Sequence, residues 1–244
     1  MNLHPPPPSD RDYYTDSDAD ANDAESPPTL SPYALEALKQ FLHEQNHLTT
    51  TTTGSSETDD DVVVSLVKED WRMSQFWYSP ETAGIVAKEV LYLLDSVESG
   101  RGSVACVSCP TLFAYLKNLD PHVSARLLEY DKRFEQYGDD FTYYDYNQPA
   151  ELPQELQHTF QVVVADPPYL SGECLEKVSQ TIDFLANREK TYVLLLTGEV
   201  QSGKAAKLLG LRPCGFRPEH SSKLGNEFRL FTNYDPENRL GGWE

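Results

Sequence analysis

Eight consecutive residues, Val162-Val163-Val164-Ala165-Asp166-Pro167-Pro168-Tyr169, constrain this chain more than any others. Four small or β-branched apolar residues run on without polar interruption, the pattern of a strand buried on both faces of a parallel sheet. Neither proline has an N–H to give to a ladder, so the strand stops at Asp166 and the chain turns outward. In an open α/β sheet, ligands bind outside the carboxyl ends of the strands. The chain places there a carboxylate, a stiff turn with exposed carbonyls and an aromatic ring, from Asp166, Pro167, Pro168 and Tyr169. Those groups suit a planar or cationic nitrogen nucleophile.

The flanking chain alternates strand and helix patterns. Apolar runs predict strands over 103–108, 124–130, 141–144, 160–165, 191–196, 211–216 and 228–234. Helical periodicity predicts helices over 80–95, 110–118, 152–156, 172–187 and 199–209, the last with Gly210 as its C-cap. Such alternation predicts an α/β fold, a mostly parallel sheet with helices on both faces. The last two strands are joined without a helix, which predicts an antiparallel hairpin at one edge.

Composition narrows the partners. A net charge of −19 over 244 residues repels phosphate, which argues against nucleic acid and for a basic partner. Four cysteines, Cys106, Cys109, Cys174 and Cys214, are too few for a disulfide scaffold and suit a reducing compartment. The C-x-x-C pair lies in an apolar strand with no second pair nearby and reads as packing thiols, so no metal is expected. The start of the chain lacks a basic-then-apolar leader, and its longest apolar runs, such as 192–196, are too short to span a bilayer. Cytoplasm is the expected location. Residues 1–30 are acidic and Pro-rich and are expected to be a disordered tail. Residues 31–48 carry Leu35, Leu38, Phe41 and Leu42 on one helical stripe, 49–61 form a low-complexity linker, and 62–244 form the folded domain.

The other strand ends supply candidate ligand groups. An acid closing the second strand commonly bonds a ribose; Glu129 fits that place, whereas Asp131 reads as the opener of the next helical turn. Tyr144 and Asp145 close the third strand and offer a ring and an acid to an adenine, although Asp145-Tyr146-Asn147 is also good turn chemistry. Gln75-Phe76-Trp77-Tyr78 precedes a helix and either roofs the pocket or staples the entering chain; Gln75 adds a polar group that a staple does not need. The first strand ends in Ser108-Cys109-Pro110 without a G-x-G-x-x-G, which disfavours a pyrophosphate dinucleotide and leans toward S-adenosylmethionine.

Asp166-Pro167-Pro168-Tyr169 resembles the (N/D)-P-P-(Y/F) motif of amino methyltransferases with the Rossmann-like seven-stranded fold, a motif shared by adenine-N6 and protein nitrogen enzymes. From about Leu35 onward the chain is similar to the elongation factor 1-alpha lysine methyltransferase 1 family, once named for adenine-specific DNA methylation. The likeness runs through Trp71–Tyr78, Glu129–Phe134, Tyr144–Asn147, Ala165–Leu170 and Asn226–Arg229. It implies transfer of a methyl group from S-adenosylmethionine to a lysine of elongation factor 1-alpha. Asp166, Pro167 and Tyr169 would then be catalytic; Ser108, Glu129, Tyr144 and Asp145 would hold the cofactor. Gln75, Phe76, Trp77, Tyr78, Pro168 and Asn226 would line the substrate pocket. Adenine-N6 methylation and a non-catalytic interaction module are the competing readings.

Overall fold

Alternate residues of the central strands face opposite layers, and that alternation organises the molecule. The computed structural model describes residues 66–97, 102–188, 190–222 and 225–244. The expected tail (1–30), helix (31–48), linker (49–61) and domain start at 62 lie outside the described residues. Seven strands form one sheet: β1 (Val104–Val107), β2 (Ala125–Glu129), β3 (Phe141–Tyr143), β4 (Val162–Ala165), β5 (Tyr192–Gly198), β6 (Arg212–Pro213) and β7 (Phe228–Thr232). Their order is β3-β2-β1-β4-β5-β7-β6. The first five pair in parallel, and β7 runs antiparallel to both β5 and β6. This is the mostly parallel, seven-stranded methyltransferase sheet that the resemblance implied.

Val104, Cys106, Leu127, Val162, Val164, Leu194 and Leu196 join one apolar cluster, with helices α1 (Pro80–Asp95) and α2 (Pro110–Leu119). Ala105, Val107, Leu128, Val163, Ala165 and Leu195 join the other, with α3 (Gly172–Leu185) and α4 (Ser202–Leu209). Because successive side chains point to opposite faces, an uninterrupted apolar strand needs helices on both sides.

Several expected elements differ in detail. The expected strand at 211–216 pairs with β7 only over Arg212–Pro213 and the Cys214 amide. Pro213 has no N–H, and the next amides turn to the end of the chain: Gly215 N donates to Gly242 O and Phe216 N to Leu240 O. A Cβ on Gly215 would lie 2.7 Å from the Gly241 carbonyl, so only glycine allows that approach. The β6–β7 pair is antiparallel as expected, but its connection is no tight hairpin. It is tied along the entry to α1, with Ser79 N on Glu219 O and Ser221 N on Trp77 O, both at 2.8 Å. The expected helix at 152–156 is two 3₁₀ turns, Pro149–Glu151 and Gln154–Leu156, separated at Pro153. Helix α4 does end on Gly210, in the left-handed conformation at φ 66°.

Candidate active site

Parallel register brings four strand ends into one line. Val107 pairs with Leu128 on one side and Ala165 on the other, and Glu129 pairs with Tyr143. The ladder then continues by one bond per strand: Ser108 N to Leu128 O at 2.8 Å, Asp166 N to Val107 O at 3.0 Å, and Tyr144 N to Glu129 O at 3.0 Å. Ser108, Glu129, Tyr144, Asp145 and Asp166–Leu170 therefore share one wall of a cavity of about 590 Å³. Gln75–Tyr78, His220, Asn226 and Phe228 also line it. Every site residue expected from the sequence lies on this cavity.

The turn after β1 has the shape that glycine usually supplies. Ser108 sits at φ 54°, in the left-handed region. Cys109 follows as the N-cap of α2 with no side-chain bond, so the first-turn amides of α2 are left for another acceptor. Pro110 and Thr111 of that turn line the cavity. Ser108→Val, which puts a β-branched residue in the left-handed region, is expected to cost about 1–2 kcal/mol in urea unfolding. Ser108→Gly should fold at least as well.

Glu129 Oε1 accepts from its neighbours' amides, Tyr130 N at 3.0 Å and Asp131 N at 3.2 Å, leaving its second oxygen to the cavity. Burial pushes this carboxyl up to about 7; the Asp131 charge adds, while the two amides and Arg133 oppose. Asp131 turns away. It caps the following 3₁₀ segment, binds the Arg133 guanidinium at 2.6 Å, and accepts from Gln75 Nε2 at 2.9 Å. Burial alone would raise the Asp131 carboxyl, but the bonds from Arg133 and Gln75 hold it below its ordinary value.

The aromatic stretch splits between the two roles expected for it. The Gln75 carboxamide is fully engaged, its oxygen accepting from Asp70 N at 3.0 Å and Arg133 at 2.9 Å. Trp77 donates from Nε1 to Val67 O at 3.0 Å and packs edge-on against Phe134. These two staple the chain. Tyr144 also lines the cavity, but its hydroxyl is 2.9 Å from Thr181 Oγ1 of α3. Asp145 closes an Asx turn with Asn147 N at 2.8 Å, so its turn chemistry is realised at the cavity wall.

The β4 exit forms another part of this wall. Pro167 is buried, Gln201 Nε2 holds the Leu170 carbonyl, and Ser171 caps α3 through Cys174 N at 3.1 Å. Asp166 is half-buried on the cavity wall. Burial pushes its carboxyl up to about 8; the Tyr78 hydroxyl partly offsets this and the Glu129 charge adds to it. Two carboxyls raised by burial on one cavity wall mark a candidate functional site. Tyr78 is only 3% exposed, yet its hydroxyl closes no well-formed hydrogen bond among the described residues. Such a buried orphan costs about 1–3 kcal/mol. Tyr169 stands at the rim, 45% exposed, with its ring edge toward Tyr146 at 5.9 Å.

His220 is a cavity residue that sequence reasoning missed. Its ring stacks on Tyr78 at 4.5 Å and meets Phe228 edge-on at 4.6 Å. Burial pushes it down to about 4, opposed by the Glu69 charge, so it is neutral at physiological pH. A lone histidine in a connection carries no periodic signal; only its bridge to Tyr78 places it.

The cavity fits S-adenosylmethionine. The uncapped start of α2 suits a carboxylate, and the open Glu129 oxygen suits a ribose.

Residues 69–236 match the family described as Probable N6-adenine methyltransferase. EEF1A lysine methyltransferase 1 of Bos taurus is 46% identical over 213 residues, 86% of this chain and 89% of the relative. That of Homo sapiens is 42% identical over 219 residues, 89% and 96% of the two chains. Protein-lysine N-methyltransferase M142.8 of Caenorhabditis elegans is 34% identical over 219 residues, 87% and 97%. The sheet, its cavity and these relatives define a protein-lysine methyltransferase. The chain belongs to the EEF1A lysine methyltransferase 1 family.

Proposed function

We propose that this chain transfers the methyl group of S-adenosylmethionine to a lysine ε-amine of elongation factor 1-alpha in the cytoplasm. The observation that carries the reading is the line of strand ends. It brings Asp166 and Pro167 onto one cavity wall with Glu129, opposite aromatic rings. The substrate itself rests on what the relatives are named for. Among the described residues no helix is long and apolar enough to cross a membrane.

Bound in the cavity, S-adenosylmethionine supplies an electrophilic methyl on a sulfonium. The second Glu129 oxygen would accept from the ribose hydroxyls, the first-turn amides of α2 and Ser108 would hold the carboxylate end, and Asp145 and Tyr144 would border the adenine. A free lysine has a pKa near 10.4, so few are nucleophilic at neutral pH. Asp166 and the Pro167 carbonyl accept hydrogen bonds from the amine, which leaves its lone pair aimed at the methyl. The Tyr169 ring packs along the lysine stem, and its face favours the cationic product. Pro168 keeps the turn stiff; Phe76 and Tyr78 wall the pocket, Gln75 and Trp77 hold that wall in place, and Asn226 edges it.

The test is incubation of the purified protein with labelled donor and, in separate reactions, elongation factor 1-alpha or DNA. Label is expected in the protein factor. Label in DNA and none in the factor would overturn the reading, and the net charge of −19 argues against that result.

A further inference from the structure

The buried Tyr78 hydroxyl is a polar group in the cavity to which the mechanism above gives no work. We infer that Tyr78, clamped by His220, is the positioning residue for Asp166: its hydroxyl donates to one oxygen of the ionised carboxylate, fixing the other toward the amine. This rests on the reading of Asp166 as the acceptor grip.

Three observations meet here. Tyr78 and Asp166 line the same cavity, and the hydroxyl lies close enough for each group to perturb the other, while no other described residue pairs with it. The Tyr78 ring cannot swing away. His220 covers one face at 4.5 Å and is itself braced by Phe228 at 4.6 Å. The backbone on either side is tied down as well: Ser79 N to Glu219 O, Ser221 N to Trp77 O, Ser221 Oγ to Tyr78 O at 3.2 Å, and Glu219 N to Thr82 Oγ1 at 2.9 Å. A donor locked by packing and held ready for a charge that arrives with the substrate is preorganised, and costs nothing to reorient during reaction. The titratable groups near enough to Asp166 to interact with its charge include Tyr78 ahead of α1, Glu129 at the end of β2, Cys109 at the start of α2 and Cys174 on α3. Burial raises both thiols. Cys109 Sγ already donates to Val164 O at 3.6 Å, and a thiol is a weak donor, so the Tyr78 hydroxyl is the stronger donor of this group.

Tyr78→Phe keeps the ring and its stacking. The expected result is a fall in kcat of about tenfold or more, with little change in affinity for S-adenosylmethionine. The acid limb of the rate profile should move to higher pH, because a bond that favours ionised Asp166 is gone. In the free protein, the carboxyl resonance of ¹³C-labelled Asp166, assigned by its loss in Asp166→Asn, should titrate at higher pH in Tyr78→Phe. His220→Ala, which frees the ring, should shift both readouts in the same direction; His220→Phe, which keeps the stack, should restore them. Wild-type kcat and an unmoved Asp166 titration in a folded Tyr78→Phe protein would overturn the inference. If Asp166→Asn itself keeps the wild-type rate, the grip reading fails instead. If Asp166→Asn is inactive and Tyr78→Phe is normal, the grip stands and the positioning role fails.

Discussion

Asp166→Ala is expected to lower kcat for lysine methylation by about 10²–10³-fold, the usual loss for removing one group that stabilises a transition state in a closed site. Donor affinity should change by less than about tenfold, because in the proposed site Glu129 and the start of α2 hold the donor and Asp166 holds the amine. The pH dependence follows from the same residue. Its carboxyl is pushed up to about 8 in the free protein, so kcat/KM should carry a limb that rises with pH to that value, above which only the free lysine, near 10.4, continues to titrate. Asp166→Asn should lose that limb. Stability runs the other way. A raised carboxyl keeps a proton that the unfolded chain has released, so the native state is penalised increasingly as pH rises from the ordinary carboxylate range to about 8. Asp166→Asn should therefore be more stable than wild type at pH 9, on the order of 1–3 kcal/mol after discounting for water in the cavity. Urea unfolding at pH 5 and pH 9 checks the sign. Wild-type turnover in Asp166→Ala would refute the acceptor role.

Glu129→Gln is expected to act on binding. Losing a charged acceptor for the ribose should weaken S-adenosylmethionine by about 10–100-fold, or roughly 1.4–2.7 kcal/mol, with kcat at saturating donor within about threefold. Burial pushes Glu129 up to about 7, so the wild-type protein should bind the donor more tightly as pH rises through that value. The variant should show a flat profile there. Calorimetric titration at pH 6 and pH 8 measures both effects. Equal affinity of the two proteins at pH 8 would remove Glu129 from the donor site.

What could be read before folding was whatever a single strand encodes locally. Val162–Ala165 announces a doubly buried strand, Asp166-Pro167 ends it, and the same logic located Glu129 and Asp145 at neighbouring strand ends. Parallel register then aligned them without further information. Contacts between distant segments were not legible. Gln75 looked like a free polar group because its partner Asp131 is 56 residues away. Tyr144 looked like a stacking ring because nothing local says that its hydroxyl reaches Thr181. The expected strand beyond Pro213 was cut short by pairing with the far end of the chain. His220 became visible only when its connection was tied across Trp77–Ser79. The missing glycines misled less than expected, because Ser108 adopts the backbone conformation they would have taken.

The wall opposite the strand ends comes from segments outside the parallel strands: the approach to α1 and the connection between β6 and β7. The two halves of the cavity can therefore diverge independently. A lineage can keep its strand-end residues unchanged while the facing segments are rewritten to admit a nucleobase or an aliphatic side chain. In the proposed role, Asp166 and the Pro167 carbonyl would recognise a nitrogen with hydrogens to offer and a lone pair to aim, and nothing of the molecule behind it. A label drawn from those residues records the atom that receives the methyl; the molecule carrying that atom is written in the opposite wall.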